Sequence, residues 1–226
     1  MKPLPWSYSS LSSFAQCPRN YYEIKVAKRY KDAPNEKALW GTYCHEEFEK
    51  ALRNGTPLPE NLKQYEGYMK GLREYVPGEK HFELKGGLTR KLEPCSFFDN
   101  DVWVRVILDY VAIDWSHKWA VVVDHKSGNS RYHDPKQLML FALWVFYKWP
   151  EVQGVETRYH WFTEGSNTTK EVYMRHHMDD LWSLLMPDLK QYAQAFKDEV
   201  WQERESWKCG FCPVTECKHW REPRTK

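Results

Sequence analysis

The sequence lacks several features that mark large classes of proteins. It has no apolar run near the ~20 residues that a membrane span needs, and its longest run, residues 138–147, fits a buried helix. The chain does not open with a charged segment followed by an apolar one, so we expect a cytoplasmic protein without a membrane partner. The net charge is only +2, so no global basic field indicates nucleic acid.

The composition is sufficient for one sizeable core. Of 226 residues, 42% are apolar and 28% are charged, and a single domain is the default for such a chain. Aromatic residues make up 16%, and some of them could stack on bases. The six cysteines of a cytoplasmic chain are more typical of metal ligands or free thiols than of disulfides.

Two strand-like segments carry the first candidate site. Segment 119–126 is apolar and then presents Asp124 and Lys126, which share one face because side chains alternate along a strand. Segment 102–113 is rich in β-branched residues, and Asp109 interrupts it. The short polar connection predicts a hairpin that brings the two carboxylates and the amine together. Such a set suits a metal-dependent phosphodiesterase.

Each of these residues also has a structural explanation. Asp124 and Lys126 could form an exposed ion pair before the turn-like residues 127–129. Asp109 could be a buried carboxylate that pairs with a cation such as Arg105, because an unpaired carboxylate in an apolar strand is costly. Both explanations remain open at this point.

Predicted helices add further candidates. A helix over about 38–53 carries His45 and Glu49 four residues apart, and His45 is either a structural residue or a metal ligand in its neutral form. A buried helix begins at residues 134–135, an aspartate N-cap followed by proline, and Gln137 lies in its first turn as a capping or a site residue. A long helix over about 179–205 should kink or split at Pro187.

In order and spacing, these residues resemble the PD-(D/E)xK nuclease signature in its RecB-like form, including the type that acts in CRISPR adaptation. Residues 122–128, V-V-D-H-K-S-G, resemble the family's D-Y-K-T-G strand end, and Gly41-Thr-Tyr-Cys-His45 matches its Gly-x-x-x-His motif. The resemblance covers roughly residues 6–220. It implies an α/β restriction-endonuclease-like core, which is a mixed central β-sheet flanked by helices.

The resemblance implies a role for each residue of the site. His45, Asp109 and Asp124 would hold Mg²⁺ or Mn²⁺, with the main-chain carbonyl of His125 as a further ligand. Lys126 would orient the attacking water and stabilise charge at phosphorus.

Gln137 matches the glutamine that opens the family's next helix, where it would meet DNA or the metal-bound water. Phe141 stands where the family usually has a tyrosine, which leaves the role of that hydroxyl unfilled. A glutamate on the strand that opens the sheet often lies near the site in this family. Glu83 is therefore a second-rank candidate, together with Glu49.

The cysteines suggest a second metal centre. Cys209, Cys212 and Cys217 form a C-x2-C-x4-C run that can wrap one centre, and the fourth ligand must come from elsewhere. Cys17 would complete an iron–sulfur set, and His219 would complete a Cys3His zinc site. The residues alone favour neither strongly.

The resemblance does distinguish between these two centres. Iron–sulfur members of the RecB-like nucleases open with Ser-x-Ser, a phenylalanine, Cys-Pro and a tyrosine pair. The matching residues are Ser7, Ser9, Phe14, Cys17, Pro18, Tyr21 and Tyr22. The resemblance implies a [4Fe–4S] cluster that joins the two ends of the chain, with zinc as the less favoured substitute. Cys44 and Cys95 are expected to be free.

The sequence as a whole predicts one nuclease domain over residues 1–226. Its expected parts are a helical region at 1–80, the core sheet at 81–175 and a C-terminal helix with the cysteines at 176–226. The predicted activity is metal-dependent DNA hydrolysis, preferably as an exonuclease on single-stranded ends. The alternative is an inactive DNA-binding or zinc-stapled interaction protein of the same fold.

The cellular context is open between repair and recombination, CRISPR spacer acquisition and viral DNA metabolism. The G-x-x-x-x-G-K-[ST] loop of helicases is missing, so any unwinding must come from another chain. A helicase or a recombination or CRISPR protein is therefore the expected protein partner.

Overall fold

The computed structural model describes residues 1–32, 36–75 and 78–222. The chain divides into two compact units: Pro34–Trp182, and Met1–Ala33 together with Ser183–Lys226. The prediction of one nuclease domain with parts at 1–80, 81–175 and 176–226 stays a prediction. No helix in the described ranges is both long and apolar enough to cross a bilayer.

The larger unit is built on a six-stranded mixed sheet. The strands are β1 (Glu79–Thr89), β2 (Pro94–Cys95), β3 (Val102–Asp114), β4 (Trp119–Lys126), β5 (Gly154–Trp161) and β6 (Asn167–Met174). Their order is β2-β1-β3-β4-β5-β6. Only β4 and β5 pair in parallel, and helix α5 (Lys136–Lys148) makes the crossover that a parallel pair requires. The predicted mixed sheet flanked by helices is confirmed.

One face of this sheet packs on helices α3 (Glu36–Asn54) and α4 (Glu66–Tyr75), which a 3-10 turn at Glu60–Tyr65 connects. The shared core includes Cys44, Phe48, Leu52, Leu62, Met69, Leu72, Tyr110, Ala112, Val121, Val123 and Phe162. Val121 and Val123 alternate with Asp124 and Lys126 along β4, so the charged pair faces away from this core. The alternation predicted for β4 therefore sets the position of the site.

Helix α5 covers the sheet closely because Gly86 lets it approach. Trp144 Nε1 donates to the carbonyl of Gly87 at 3.3 Å. A Cβ added at Gly86 would lie 2.2 Å from the Trp144 ring, so a side chain at that position would push the helix away. Leu138, Leu140, Phe141, Leu143 and Val145 of the same helix are buried, as its apolar run predicts.

The smaller unit contains α1 (Tyr8–Gln16), α2 (Pro18–Tyr21), a π-helical turn (Tyr22–Val26), most of α6 (Met178–Asp198) and a 3-10 turn (Trp207–Phe211). Ser7 forms a capping box at the start of α1, as the serines there predict. Phe14, Tyr21 and Tyr192 form an aromatic core, in which the two tyrosine hydroxyls lie 2.7 Å apart.

The C-terminal helix α6 is shorter than predicted. It ends at Asp198, not near residue 205, because Glu199 adopts a left-handed backbone with φ 55° that cannot continue a helix. Pro187 lies within α6, and the helix is not divided there.

Candidate active site

The site forms where strands β3 and β4 stop pairing. Their antiparallel ladder runs from Asp114↔Trp119 to Tyr110↔Val123. One position further, the Oδ2 atom of Asp109 accepts the backbone N–H of His125 at 2.7 Å. Asp109 and Asp124 are both buried there, on neighbouring strands. The predicted hairpin therefore places the two carboxylates close together.

Two other side chains, those of His45 and Glu83, converge on Asp109. His45 Nδ1 of α3 lies 3.2 Å from Asp109 Oδ2. The ligand atoms of His45, Glu83 and Asp109, one from each residue, lie within 4.8 Å of one another. In the described part of the chain, this is the only group of three or more His, Cys, Asp or Glu residues that could hold a metal ion. One imidazole nitrogen and two carboxylates are a donor set that Mg²⁺ or Mn²⁺ accepts. The residues present therefore fit a divalent cation.

Glu83 reaches this group through an unusual backbone. The register pairs Phe82 with Tyr110 and Leu84 with Leu108, so Glu83 lies beside Asp109 on the adjoining strand. Its φ of 49° is left-handed within a strand, which costs a non-glycine residue free energy. Strain of this kind persists where the surroundings enforce it, and here it accompanies the convergence on Asp109.

A second set of contacts surrounds Asp124. Lys126 Nζ lies 2.6 Å from Asp124 Oδ2. Gln137 Nε2, in the first turn of α5, donates to Asp124 Oδ1 at 3.2 Å. Gln137 thus contacts the site and does not serve only as a helix cap. Since Asp124 is 4% exposed, the exposed ion pair allowed by the sequence is not what the structure contains.

Tyr159 of β5 is a neighbour that the sequence did not single out. Its hydroxyl donates to the carbonyl of Asp134 at 2.8 Å and lies 3.4 Å from Gln137 Oε1. Lys126 Nζ lies 5.4 Å from its ring centroid. Phe141 occupies the position at which the family usually has a tyrosine, so the sequence provides no hydroxyl there. Phe141 is buried. Tyr159, on the strand β5 that runs parallel to β4, instead places a hydroxyl near Gln137.

Arg105 is not the partner of Asp109. Its Nε donates to the carbonyl of Phe97 at 2.8 Å, and its guanidinium lies over the Phe97 ring. The ion pair allowed by the sequence is replaced by contacts of Asp109 with His45 and His125.

The charges at the site perturb one another. Burial and the nearby charge of Asp109 raise the pKa of Glu83 to about 7. Burial also raises the pKa of Asp124, against the attraction of Lys126. For Asp109, burial is outweighed by hydrogen bonds from His45 and His125, and the pKa is lowered. Carboxylates in such surroundings are stabilised in their ionised form by a bound cation.

A groove of about 750 Å³ opens beside His45, Glu83 and Asp109. Glu49 lines it, with its carboxylate 2.6 Å from Arg53 Nη2. The other lining residues are Ala38, Gly41, Thr42, Glu46, Lys85 and Ile107. The candidate metal group is thus open to a substrate from this side.

The other four candidate ligands lie in the smaller unit. Cys17 stands between α1 and α2, while Cys209, Cys212 and Cys217 lie around and after the 3-10 turn. All are free thiols. Asn20, three residues after Cys17, donates through Nδ2 to Cys212 Sγ at 3.2 Å.

Two further contacts join the same segments. Lys208 Nζ lies 2.6 Å from Gln16 Oε1, and Arg19 N donates to the Gln202 carbonyl at 3.1 Å. The segments that carry Cys17 and Cys212 therefore meet within this unit, which a shared cluster would require.

A zinc ion would require these sulfurs to lie close together. Two sulfurs on one Zn²⁺ can be at most ~4.6 Å apart, since each Zn–S bond is ~2.3 Å. Within residues 1–32, 36–75 and 78–222, no three of these thiols, with or without His219, meet within 4.8 Å. His219 Nδ1 instead lies 3.6 Å from Glu205 Oε2.

Comparison with known proteins gives a matching family model and similar solved structures. The model of the PD-(D/E)XK nuclease superfamily matches residues 5–217. A solved structure of a candidate exonuclease from Eubacterium rectale is 14% identical, covers 98% of this chain and 89% of its own, and has a TM-score of 0.56. The solved structure of the protein SSO0001 is also 14% identical, over 93% of this chain and 86% of its own, with a TM-score of 0.44. No curated protein matches the sequence significantly.

Proposed function

Because the chain belongs to the PD-(D/E)XK nuclease superfamily, we propose that it is a deoxyribonuclease that uses Mg²⁺ or Mn²⁺ to hydrolyse phosphodiester bonds. The observation that carries this proposal is the convergence of His45, Glu83 and Asp109 beside the Asp124–Lys126 pair. A structural ion pair would not need a second carboxylate held at the same point in a strained backbone.

The metal ligands of the proposal are His45, Asp109 and Asp124, with the carbonyl of His125. Glu83, a second-rank candidate in the sequence, joins them because its carboxylate lies in the same group. When bound, the cation would lower the pKa of a coordinated water and offset the charge of the phosphate. Two or more carboxylates at one point give the site negative charge, which favours binding of a cation.

The remaining residues act on the water and the phosphate. Lys126, held by Asp124 at 2.6 Å, carries its positive charge at the site and can stabilise negative charge as it develops at phosphorus. Gln137 holds Asp124 from the helix side, and the resemblance to the family implies that it would meet the water or the DNA. Tyr159 of β5 holds the residue before this helix through the Asp134 carbonyl and lies close to Gln137.

Cys17, Cys209, Cys212 and Cys217 are the proposed ligands of a [4Fe–4S] cluster. The contacts between the segments around Cys17 and Cys212 support this proposal, and four thiolates are the ligand set of such a cluster. Its role would be structural, since metal binding at such a site also contributes free energy of folding. Zinc with His219 is the competing assignment.

The proposed substrate is DNA with single-stranded ends, and the proposed mode is exonucleolytic. A helicase or a recombination or CRISPR protein is the corresponding partner. The alternative is an inactive DNA-binding protein of the same fold, and the intact set of Asp109, Asp124 and Lys126 argues against it.

The test is digestion of end-labelled single- and double-stranded DNA with Mg²⁺ or Mn²⁺. Single-nucleotide products would support an exonuclease, and their order of release would give its polarity. The matched control is Asp109→Asn, which keeps the shape of the side chain and removes its charge. DNA binding without cleavage by the wild-type protein would favour the inactive alternative.

A further inference from the structure

Two buried histidines lie directly behind the candidate site. His125 of β4 is opposite His160 of β5 in the parallel register. Their Nδ1 atoms are 2.8 Å apart, so one ring donates a hydrogen bond and the other accepts it. His125 is 2% exposed and His160 is fully buried. The proposed catalytic steps use neither imidazole.

This pair lies among apolar and aromatic side chains. The ring of Tyr68 stacks on His160 at 3.8 Å with 14° between the planes, and Phe48 and Phe162 lie nearby. The Nε2 atoms of both histidines are buried without a hydrogen-bond partner in the described part of the chain. Burial lowers the pKa of His125 to about 4 and that of His160 to about 2, so both rings are neutral at pH 7.

Apolar residues of similar volume would suit this environment better. Buried polar groups that keep unsatisfied atoms are costly, whereas replacing both partners of a buried hydrogen bond by apolar groups can be neutral. The pair is therefore poorly explained by folding stability alone.

The position of His125 provides another explanation. Its backbone N–H donates to Asp109 Oδ2 at 2.7 Å, and its neighbours in sequence are Asp124 and Lys126. Beyond Val123 the ladder with β3 ends, so β5 alone pairs with this end of β4. The ring hydrogen bond to His160 adds a side-chain anchor at the residue whose backbone orients Asp109.

We propose that His160 is a positioning residue for the metal centre, acting through His125 to hold the backbone that orients Asp109. The proposal rests on the proposed function, because it takes Asp109 as a metal ligand. Partners that orient a metal-binding carboxylate typically contribute 10–100-fold to metal affinity or activity.

The test measures Mn²⁺ affinity by calorimetric titration and thermal unfolding of the apo protein, without reference to cleavage. His160→Leu leaves His125 without its anchor. His160→Asn retains an amide that can hydrogen-bond His125 Nδ1. Val155→Ala, fully buried on the same strand five positions earlier, is the control for loss of stability. The double variant His125→Leu/His160→Leu removes both polar partners.

We expect His160→Leu to weaken Mn²⁺ binding by about 10- to 100-fold, as for other outer partners of metal ligands. His160→Asn should stay near the wild-type affinity, and Val155→Ala should melt earlier with the same affinity. The double variant should melt no earlier than His160→Leu and still bind Mn²⁺ weakly. That combination of results would distinguish a role of His160 in positioning the metal ligand from a role in packing.

Three results would overturn the proposal. They are wild-type affinity in His160→Leu, wild-type affinity in the double variant, or an equal loss of affinity in Val155→Ala. If the wild-type protein binds Mn²⁺ but does not cleave DNA, the proposed function fails while the inference about His160 is still decided by affinity. A wild-type protein that does not bind Mn²⁺ would overturn both.

Discussion

Replacing Glu83 by glutamine should have opposite effects on stability and on metal binding. The carboxylate lies beside Asp109 in a half-buried strand position, and burial, together with the charge of Asp109, raises its pKa from 4.5 to about 7. Glutamine keeps the shape and the backbone strain but removes the charge. The apo protein should therefore become more stable at neutral to alkaline pH, and the affinity for Mn²⁺ should fall.

The magnitude follows from this pKa shift. At ~1.4 kcal/mol per unit, the full shift would be ~3 kcal/mol. The groove is open to solvent, which screens the repulsion, so we expect a gain of ~1 kcal/mol in the free energy of unfolding. For a chain of this size, that corresponds to ~2–4 °C in Tm.

The sign depends on pH. Because the pKa of Glu83 is higher in the fold than in the unfolded chain, the wild-type protein loses stability as pH rises from 4.5 to about 7. The gain in Glu83→Gln should vanish near pH 4 and be complete above pH 7. Loss of one ligand should weaken Mn²⁺ binding by at least ~10-fold, so Mn²⁺ should raise the Tm of the variant less than that of the wild type.

The assay is thermal unfolding at pH 4 and pH 8, with and without Mn²⁺. Glu93→Gln, on an exposed turn next to β2, is the matched control and should change none of these values. If Glu83→Gln melts earlier than the wild type at pH 8 without metal, burial and the charge of Asp109 do not destabilise the Glu83 carboxylate as argued. If its response to Mn²⁺ is unchanged, Glu83 is not a ligand.

Other variants test the remaining assignments. Asp109→Asn or Asp124→Asn should abolish metal-dependent cleavage while circular dichroism shows an intact fold, and full activity in either would place the site elsewhere. His45→Ala should cleave more slowly and recover partly at high Mn²⁺, because the loss of one ligand among several weakens binding first; an unchanged rate at limiting metal would make His45 structural. Lys126→Ala should lower the rate by ~10²–10³-fold with nearly unchanged DNA affinity, and early melting instead would show a structural ion pair. Protein purified without oxygen should be brown and contain iron, and Cys212→Ser should lose both colour and Tm; a colourless protein with one zinc would support His219 as a ligand.

Much of the candidate site was predictable from local pattern. Alternation along β4 places Asp124 and Lys126 on one face, independently of the rest of the chain. The short connection from β3 strongly favours a hairpin. A carboxylate such as Asp109 within an apolar strand also requires a partner, because an unpaired buried charge is costly. These properties depend on neighbours in sequence, so the sequence determines them.

Other contacts required the order and register of the strands. Glu83 is beside Asp109 only because β1 pairs with β3, with Phe82 opposite Tyr110. Tyr159 and His160 reach the site only because β5 lies parallel to β4, with His125 opposite His160. A pattern of apolar and polar residues shows which face of a strand is buried, but it does not choose a strand's partner or the residue opposite. That choice is made by the packing of the whole sheet, and it determines which side chains surround Asp109 and Asp124.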